Sequence, residues 1–365
     1  QGGNNWERSN QSLPAGKFES SSCVRAADFD QDGDQDLFVG IRQRPGLYGV
    51  PVPGYLLEND GNGKMTNVTK SLAPDLMAAG MITDARWIDY DQDGDPDLMV
   101  GKEWSTIGLW ENTPNGFQQV DEAGDLSITT GWWNCLLPAD LDGDGDLDLI
   151  AGNHGLNSRF QASEEEPVRM YVNDFDKNGT AEQILTRYYE GKALPFVLRH
   201  DLIKQMPHLK KKYLKYASYA NQEVTDIFTE EELENTVEWS ANELASCVFM
   251  NEGGGGFKKV ILPLEAQFAP VYSIATSDLN QDGHLDILLS GNLYEVKPEM
   301  GRYDADYGVL LLGRGDGSFS VLRSAQTGLR NQGAVRDLEL LEVNGQPHLI
   351  VAHNNGPVQL YRISN

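Results

Sequence analysis

Residues 28–40 read Asp28-Phe29-Asp30-Gln31-Asp32-Gly33-Asp34-Gln35-Asp36-Leu37-Phe38-Val39-Gly40, and the chain repeats this stretch. Asp89, Asp91, Asp93, Gly94, Asp95 and Asp97 restate its acidic part before Leu98-Met99-Val100-Gly101. Asp140, Asp142, Asp144, Gly145, Asp146 and Asp148 do so before Leu149-Ile150-Ala151-Gly152. A fourth copy is Asp278, Asn280, Asp282, Gly283, His284 and Asp286, and the most divergent is Asp174, Asp176, Asn178, Gly179, Thr180 and Glu182. Around Asp337 the pattern is lost. The first three copies are spaced by 61 residues (Asp28 to Asp89) and 51 residues (Asp89 to Asp140), the length of a four-stranded propeller blade rather than of a helical repeat.

D-x-D-x-D-G-x-x-D gathers oxygens for a hard cation. Side chains at loop positions 1, 3, 5 and 9 converge, Gly at position 6 permits the sharp turn, and the position-7 carbonyl adds a neutral ligand. An EF-hand begins the same way but closes with Glu at position 12, where this chain has Val39, Val100, Ala151, Leu185 or Leu289. A short apolar run follows each loop, so the loop joins two strands rather than two helices. Left without a counterion, each cluster would repel itself at short range. Calcium suits it better than magnesium, which prefers an octahedral shell that keeps its waters. The expectation is one calcium in each of the five loops.

Apolar runs before the loops (Val24 to Phe29, Ala85 to Tyr90, Leu136 to Leu141, Tyr272 to Leu279) and after them read as strands A and B. Hairpins such as Tyr55 to Asn59 turning at Asp60-Gly61-Asn62-Gly63, or Val309 to Leu312 turning at Gly315-Asp316-Gly317, read as strands C and D. The expected fold is an all-β propeller of about six, alternatively seven, blades. Residues 187–245 break the pattern. Pro207 before Leu209 to Tyr219, and a Thr229–Glu232 capping box before Leu233, predict a helical insertion. Residues 1–13, with Trp6 to Ser9 as a strand, are expected to complete the last blade, Ala334 to Ile363, and close the ring.

With 29 Lys+Arg against 55 Asp+Glu the net charge is −26, which excludes nucleic acid as a partner because no counterion release would drive binding. No apolar run is long enough to span a membrane. Cys23, Cys135 and Cys247 cannot all pair and lack metal-ligand spacing.

The tandem acidic loops resemble FG-GAP/VCBS repeats, the calcium-binding blades of integrin α-type propellers. Gly131-Trp132-Trp133-Asn134, Gly152-Asn153-His154-Gly155-Leu156-Asn157-Ser158 and Gly301-Arg302-Tyr303-Asp304-Ala305 are similar to stretches of bacterial cartilage-acidic-protein-like proteins that carry an ASPIC/UnbV segment upstream. The resemblance implies an extracytoplasmic, secreted or surface-anchored protein with further upstream domains, and it offers no catalytic activity to carry over.

In such a fold the acidic A–B loops and the C–D hairpins share one face, and the B–C and D–A connections share the other. The second face receives Trp104, Trp132, His154, Arg159, Arg302 and Tyr303, a set suited to a glycan or protein ligand. The expected function is therefore a calcium-stabilised, non-catalytic binding module. Two alternatives are a glycan-cleaving lyase or hydrolase, with Asp304 or Asp306 paired to His154 or His353, and a structural spacer.

Overall fold

The computed structural model describes residues 10, 11, 13, 18–298 and 300–364. Alternating apolar residues between turn-rich loops give six antiparallel sheets and only short helices. The first sheet is formed by Ser20–Ala27, Asp36–Gln43, Gly54–Asn59 and Met65–Asn67, paired in that order. The second is formed by Met81–Ile88, Asp97–Ser105, Gly108–Thr113 and Gly116–Gln119, with Gly131–Trp132 added beside Asp97–Ser105. Cys135–Ala139, Asp148–Gly152, Cys247–Asn251 and Phe257–Ile261 make the third. Val271–Ser277, Asp286–Gly291, Val309–Gly313 and Phe319–Leu322 make the fourth. The last, Val335–Val343, Gln346–His353 and Gln359–Arg362, has three strands.

These sheets are not six consecutive units. The third is interrupted between Gly152 and Cys247, and the intervening chain folds a sheet of its own from Val168–Asn173, Glu182–Tyr189, Lys192–Pro195 and Val237–Ala241. The acidic loop at Asp174 belongs to this inserted sheet. Residues 187–245, expected as helical, hold the short helices Arg199–Gln205 and Val224–Ile227 together with two of those strands. Between Pro207 and Tyr219 only the 3-10 turns Pro207–Lys210 and Tyr216–Ser218 form. The Thr229–Glu232 box does close, with Glu232 N donating to Thr229 Oγ1 at 3.3 Å and Thr229 N to Glu232 Oε2 at 2.8 Å. No helix propagates from it, because Val237–Ala241 pairs with Val168–Val172 instead.

Strand A of each of the five other sheets packs on strand A of the next, from Ser20–Ala27 round to Val335–Val343. The cores lie between the sheets. Cys23, Phe38 and Leu56 meet Ile82, Leu98 and Trp110; Met99 and Leu109 meet Trp133, Leu136 and Phe249; Cys135, Ile150 and Val248 meet Val271, Ile287 and Leu311; and Ala275 and Leu288 meet Val335, Leu349 and Val351. All three cysteines are free and buried, so they serve packing.

Two repeated backbone features make this stacking work. The pairing of strand A with strand B skips Ser22, Thr83, Tyr272 and Arg336, so each of four A strands carries a bulge. A bulge re-aims one side chain, and these four all line a cavity of about 440 Å³ shared by the five A strands. Beside three of the bulges stand Gly40, Gly101 and Gly291, and Gly152 holds the same place opposite Cys135 in the unbulged pair. A Cβ at Gly40 would lie 2.6 Å from Ile82 Cγ2 and 2.7 Å from Cys23 Sγ, and one at Gly152 would lie 2.6 Å from Cys135 Sγ. The glycine that ends the motif is thus the seat of the neighbouring sheet.

Most of the expected closing strand, residues 1–13, lies outside the described residues. Gln11 is described, and its side chain exchanges hydrogen bonds with the Met65 backbone at 3.1 and 3.2 Å. Leu72 bears on Gly116 and Gly124 on Phe257 in the same way, each a D–A connection touching the first residue of the next sheet's strand D.

Replacing Gly40 by Val should therefore cost about 1–3 kcal/mol through overpacking. Gly256→Ala, which meets nothing within 4 Å, should stay within about 0.5 kcal/mol of the parent. Denaturant unfolding of the two variants checks this.

Candidate functional site

The five acidic loops share one backbone. Position 6 is a glycine of positive φ (Gly33 at 99°, Gly145 at 97°), and position 4 is also left-handed (Gln31 at 59°, Lys177 at 58°, Gln281 at 63°). The position-6 amide donates to the position-1 carboxylate at 2.8–3.2 Å in all five loops. Amides at positions 5 and 7 donate to the side chains at positions 3 and 5, as at Asp32 N to Asp30 (3.2 Å) and Asp34 N to Asp32 (3.2 Å). In four of the loops these turns hold three carboxylates around a common centre; in the Asp278 loop Asn280 Nδ2 donates to Asp282 at 2.9 Å instead.

Position 9 does different work. Asp148 is buried, its Oδ2 accepting from Leu141 N at 2.9 Å and its Oδ1 from Asn251 N at 2.8 Å. Asp36 (Phe29 N, Asn59 N), Asp97 (Tyr90 N, Asn112 N) and Asp286 (Leu279 N, Gly313 N) repeat the arrangement. One carboxylate thus bolts the loop to strand C. Burial pushes the Asp97 carboxyl up to about 7 and that of Asp148 up to about 6, against the pull of the amides.

The donor set fits a hard cation. Ligand oxygens of Asp28, Asp30 and Asp32 lie within 4.8 Å of one another, as do those of Asp89, Asp91 and Asp97, of Asp140, Asp142 and Asp148, and of Asp174, Asp176 and Glu182. Asp28 Oδ1, Asp34 Oδ1, Asp89 Oδ1 and Asp95 Oδ1 are shielded from solvent and accept no hydrogen bond, the condition a bound cation relieves. The loops also touch one another: Gln31 Nε2 donates to Gly94 O at 3.2 Å, and Gln92 to Asp146. In the last sheet the loop is replaced by a tight Asn344-Gly345 hairpin turn, both residues at positive φ, and Asp337 lies within the strand.

The B–C ends of the strands build a second feature, a chamber of about 430 Å³. Trp104, Trp132, His154 and Tyr303 line it, with Phe160. Ring centroids are 4.6 Å apart for Trp104–Trp132, 4.7 Å for Trp132–His154 and 4.7 Å for His154–Tyr303. Trp104 has φ 62°, a costly conformation for a bulky residue; its indole N–H donates to Tyr48 Oη at 3.0 Å, and Tyr48 donates to Glu103 at 3.0 Å. Glu103 in turn pairs with Arg42 at 2.6 Å. His154 Nε2 meets Ser158 Oγ at 2.9 Å, and Ser158 meets the Tyr303 hydroxyl at 3.3 Å. Burial holds the His154 imidazole down to about 4.

Arg159 and Arg302 do not line this chamber. Arg159 lies over Phe196 and Arg302 over Tyr294, each 5.5 Å from the ring. Asp304 and Asp306 do not line it either. Asp306 is buried and its oxygens accept from Ser290 Oγ, Gly291 N and Gly308 N. Sequence reasoning missed Glu103, Tyr272 and Arg336 in the wall. A signal existed: Ser22, Thr83, Asn134 and Tyr272 each stand six residues before a loop's first Asp. Arg336 precedes no such loop and so escaped it.

Residues 28–100 and 89–151 match the profile of the FG-GAP-like repeat. The chain carries FG-GAP-like repeats. The matched segments take in the first three acidic loops and the whole of the second sheet, but not strand Ser20–Ala27 of the first or Cys247–Asn251 and Phe257–Ile261 of the third. No curated protein matches the chain. Among solved structures it is similar to the V. cholerae biofilm matrix protein Bap1, at 11% identity over 94% of this chain and 77% of that one, TM-score 0.31. It is also similar to BBS1N, solved in complex with ARL6DN, at 9% identity over 94% and 92%, TM-score 0.26.

Asp148→Ala strands two buried amides and should lose about 2–4 kcal/mol even in chelator. Asp142→Ala removes an acceptor only from the exposed Asp144 amide, and should stay within about 0.5 kcal/mol of the parent in chelator. Melting curves in excess EDTA separate the two.

Proposed function

We propose that the chain is a calcium-stabilised β-propeller module that recognises a ligand in the aromatic chamber, away from its metal loops. Five sheets form the ring of this reading and the inserted sheet covers part of one face. The observation that carries it is the convergence of Trp104, Trp132, His154 and Tyr303, distant in sequence, on one chamber. Aromatic walls with a few polar groups are the usual make-up of a small-ligand site. The hard oxygen donors and sharp turns of the loops support calcium. A calcium requirement of this kind suits an extracytoplasmic setting, and among the described residues no helix is long and apolar enough to cross a membrane.

The hydrogen-bonded run His154–Ser158–Tyr303 favours one second reading, proton transfer on a bound glycan. A histidine held near 4 is a weak base at neutral pH, so recognition is preferred.

Screening the intact chain in calcium against a glycan array tests the proposal. Trp132→Ala should abolish binding to any hit and leave melting within about 3 kcal/mol of the parent. Asp91→Ala should lower stability with little change in affinity for the folded form. Loss of binding with Asp91→Ala but not with Trp132→Ala would place recognition on the metal face. Release of unsaturated sugar, followed by ultraviolet absorbance, would favour the catalytic reading.

A further inference from the structure

The cavity enclosed by the five A strands is positive in a chain of net charge −26: Arg25, Arg42, Arg86 and Arg336 line it against Asp84 and Asp337. The acids there are already engaged. Asp84 takes both Arg25 and Arg86, with the amides of Ala85 and Leu136. Asp337 accepts from Leu338 N and Ser273 Oγ through Oδ1. Glu103 is occupied by Arg42 and Tyr48.

Arg336 is left over. It stacks on Tyr272 at 4.2 Å and donates through Nη1 to Asn292 O (3.0 Å) and Val335 O (2.7 Å). Among the described residues its Nε and Nη2 meet no acceptor, and no carboxylate pairs with it. Burial lowers its proton affinity and the charge of Arg42 pushes the same way, yet a guanidinium stays protonated. An unpaired, half-buried guanidinium beside a second one is costly unless an anion joins them.

Arg42, Tyr272 and Arg336 line both this cavity and the aromatic chamber, so the two spaces adjoin at these residues. Trp132 lines the chamber, and its indole N–H is shielded and donates to nothing. We propose that Arg336 and Arg42 bind the carboxylate of an acidic saccharide whose ring lies against the aromatic walls, with a sugar hydroxyl accepting from Trp132. The inference rests on the chamber being the recognition site. A planar carboxylate matches the guanidinium fork, a sugar supplies both an apolar face and hydroxyls, and a chamber of about 430 Å³ admits a sugar unit rather than a folded protein surface.

Calorimetric titration of the intact chain in calcium with trigalacturonate and with its methyl ester tests this. The acid should bind at least about tenfold tighter than the ester, and Arg336→Gln should erase that difference while leaving ester binding and melting unchanged or improved. Equal binding of acid and ester by the parent chain, which needs no variant to fold, overturns the anion site and leaves the chamber reading standing. Binding of a hexaglutamate peptide in place of either sugar, lost with Arg336→Gln, overturns the saccharide assignment. If none of the three binds, both readings fail.

Discussion

One carboxylate in four of the acidic loops accepts backbone amides from two places at once, and the arrangement of the sheets depends on it. Asp36, Asp97, Asp148 and Asp286 join the loop that precedes them to the strand two places further along the sheet. A shorter side chain would not reach both amides, and a neutral one could not accept equally from both. The inserted sheet shows the limit of the device. There Glu182 takes Phe175 N with one oxygen and the Thr180 hydroxyl with the other, since no third strand follows in the same place.

This bolt buries negative charge beside two to four more carboxylates of the same loop, a charge that a bound cation would offset. It also sets the polarity of the molecule. With the metal donors committed to one end of the strands, the other end is free to carry aromatics, arginines and the inserted sheet. The bulges at Ser22, Thr83, Tyr272 and Arg336 then turn one side chain per strand into the central cavity. The repeated glycines let neighbouring sheets approach closely enough for their A strands to line it together. Scaffold and chamber are consequences of the same repeat.

The loops were legible because every donor lies within nine residues and the turn chemistry is local. Strands A and B flanking them were legible for the same reason. The split third sheet was not: Asp148–Gly152 pairs with Cys247–Asn251, and nothing local records a partner so far away. The Asp174 loop is just as local, whereas its sheet is completed by the distant Val237–Ala241. Four of the six residues expected on the binding face, Trp104, Trp132, His154 and Tyr303, line one chamber, since strand order alone puts those connections at one end. Arg159 and Arg302 share that end but turn onto Phe196 and Tyr294, a choice made by side-chain packing and invisible to topology.

Calcium titration of the chelated chain by isothermal calorimetry, with the metal content of the dialysed product measured independently, tests the account most directly. The five loops of common geometry should take up about five ions, and uptake should fall by one ion with Asp142→Ala. A chain that binds no calcium at millimolar concentration, with the loops folded as described, would contradict it.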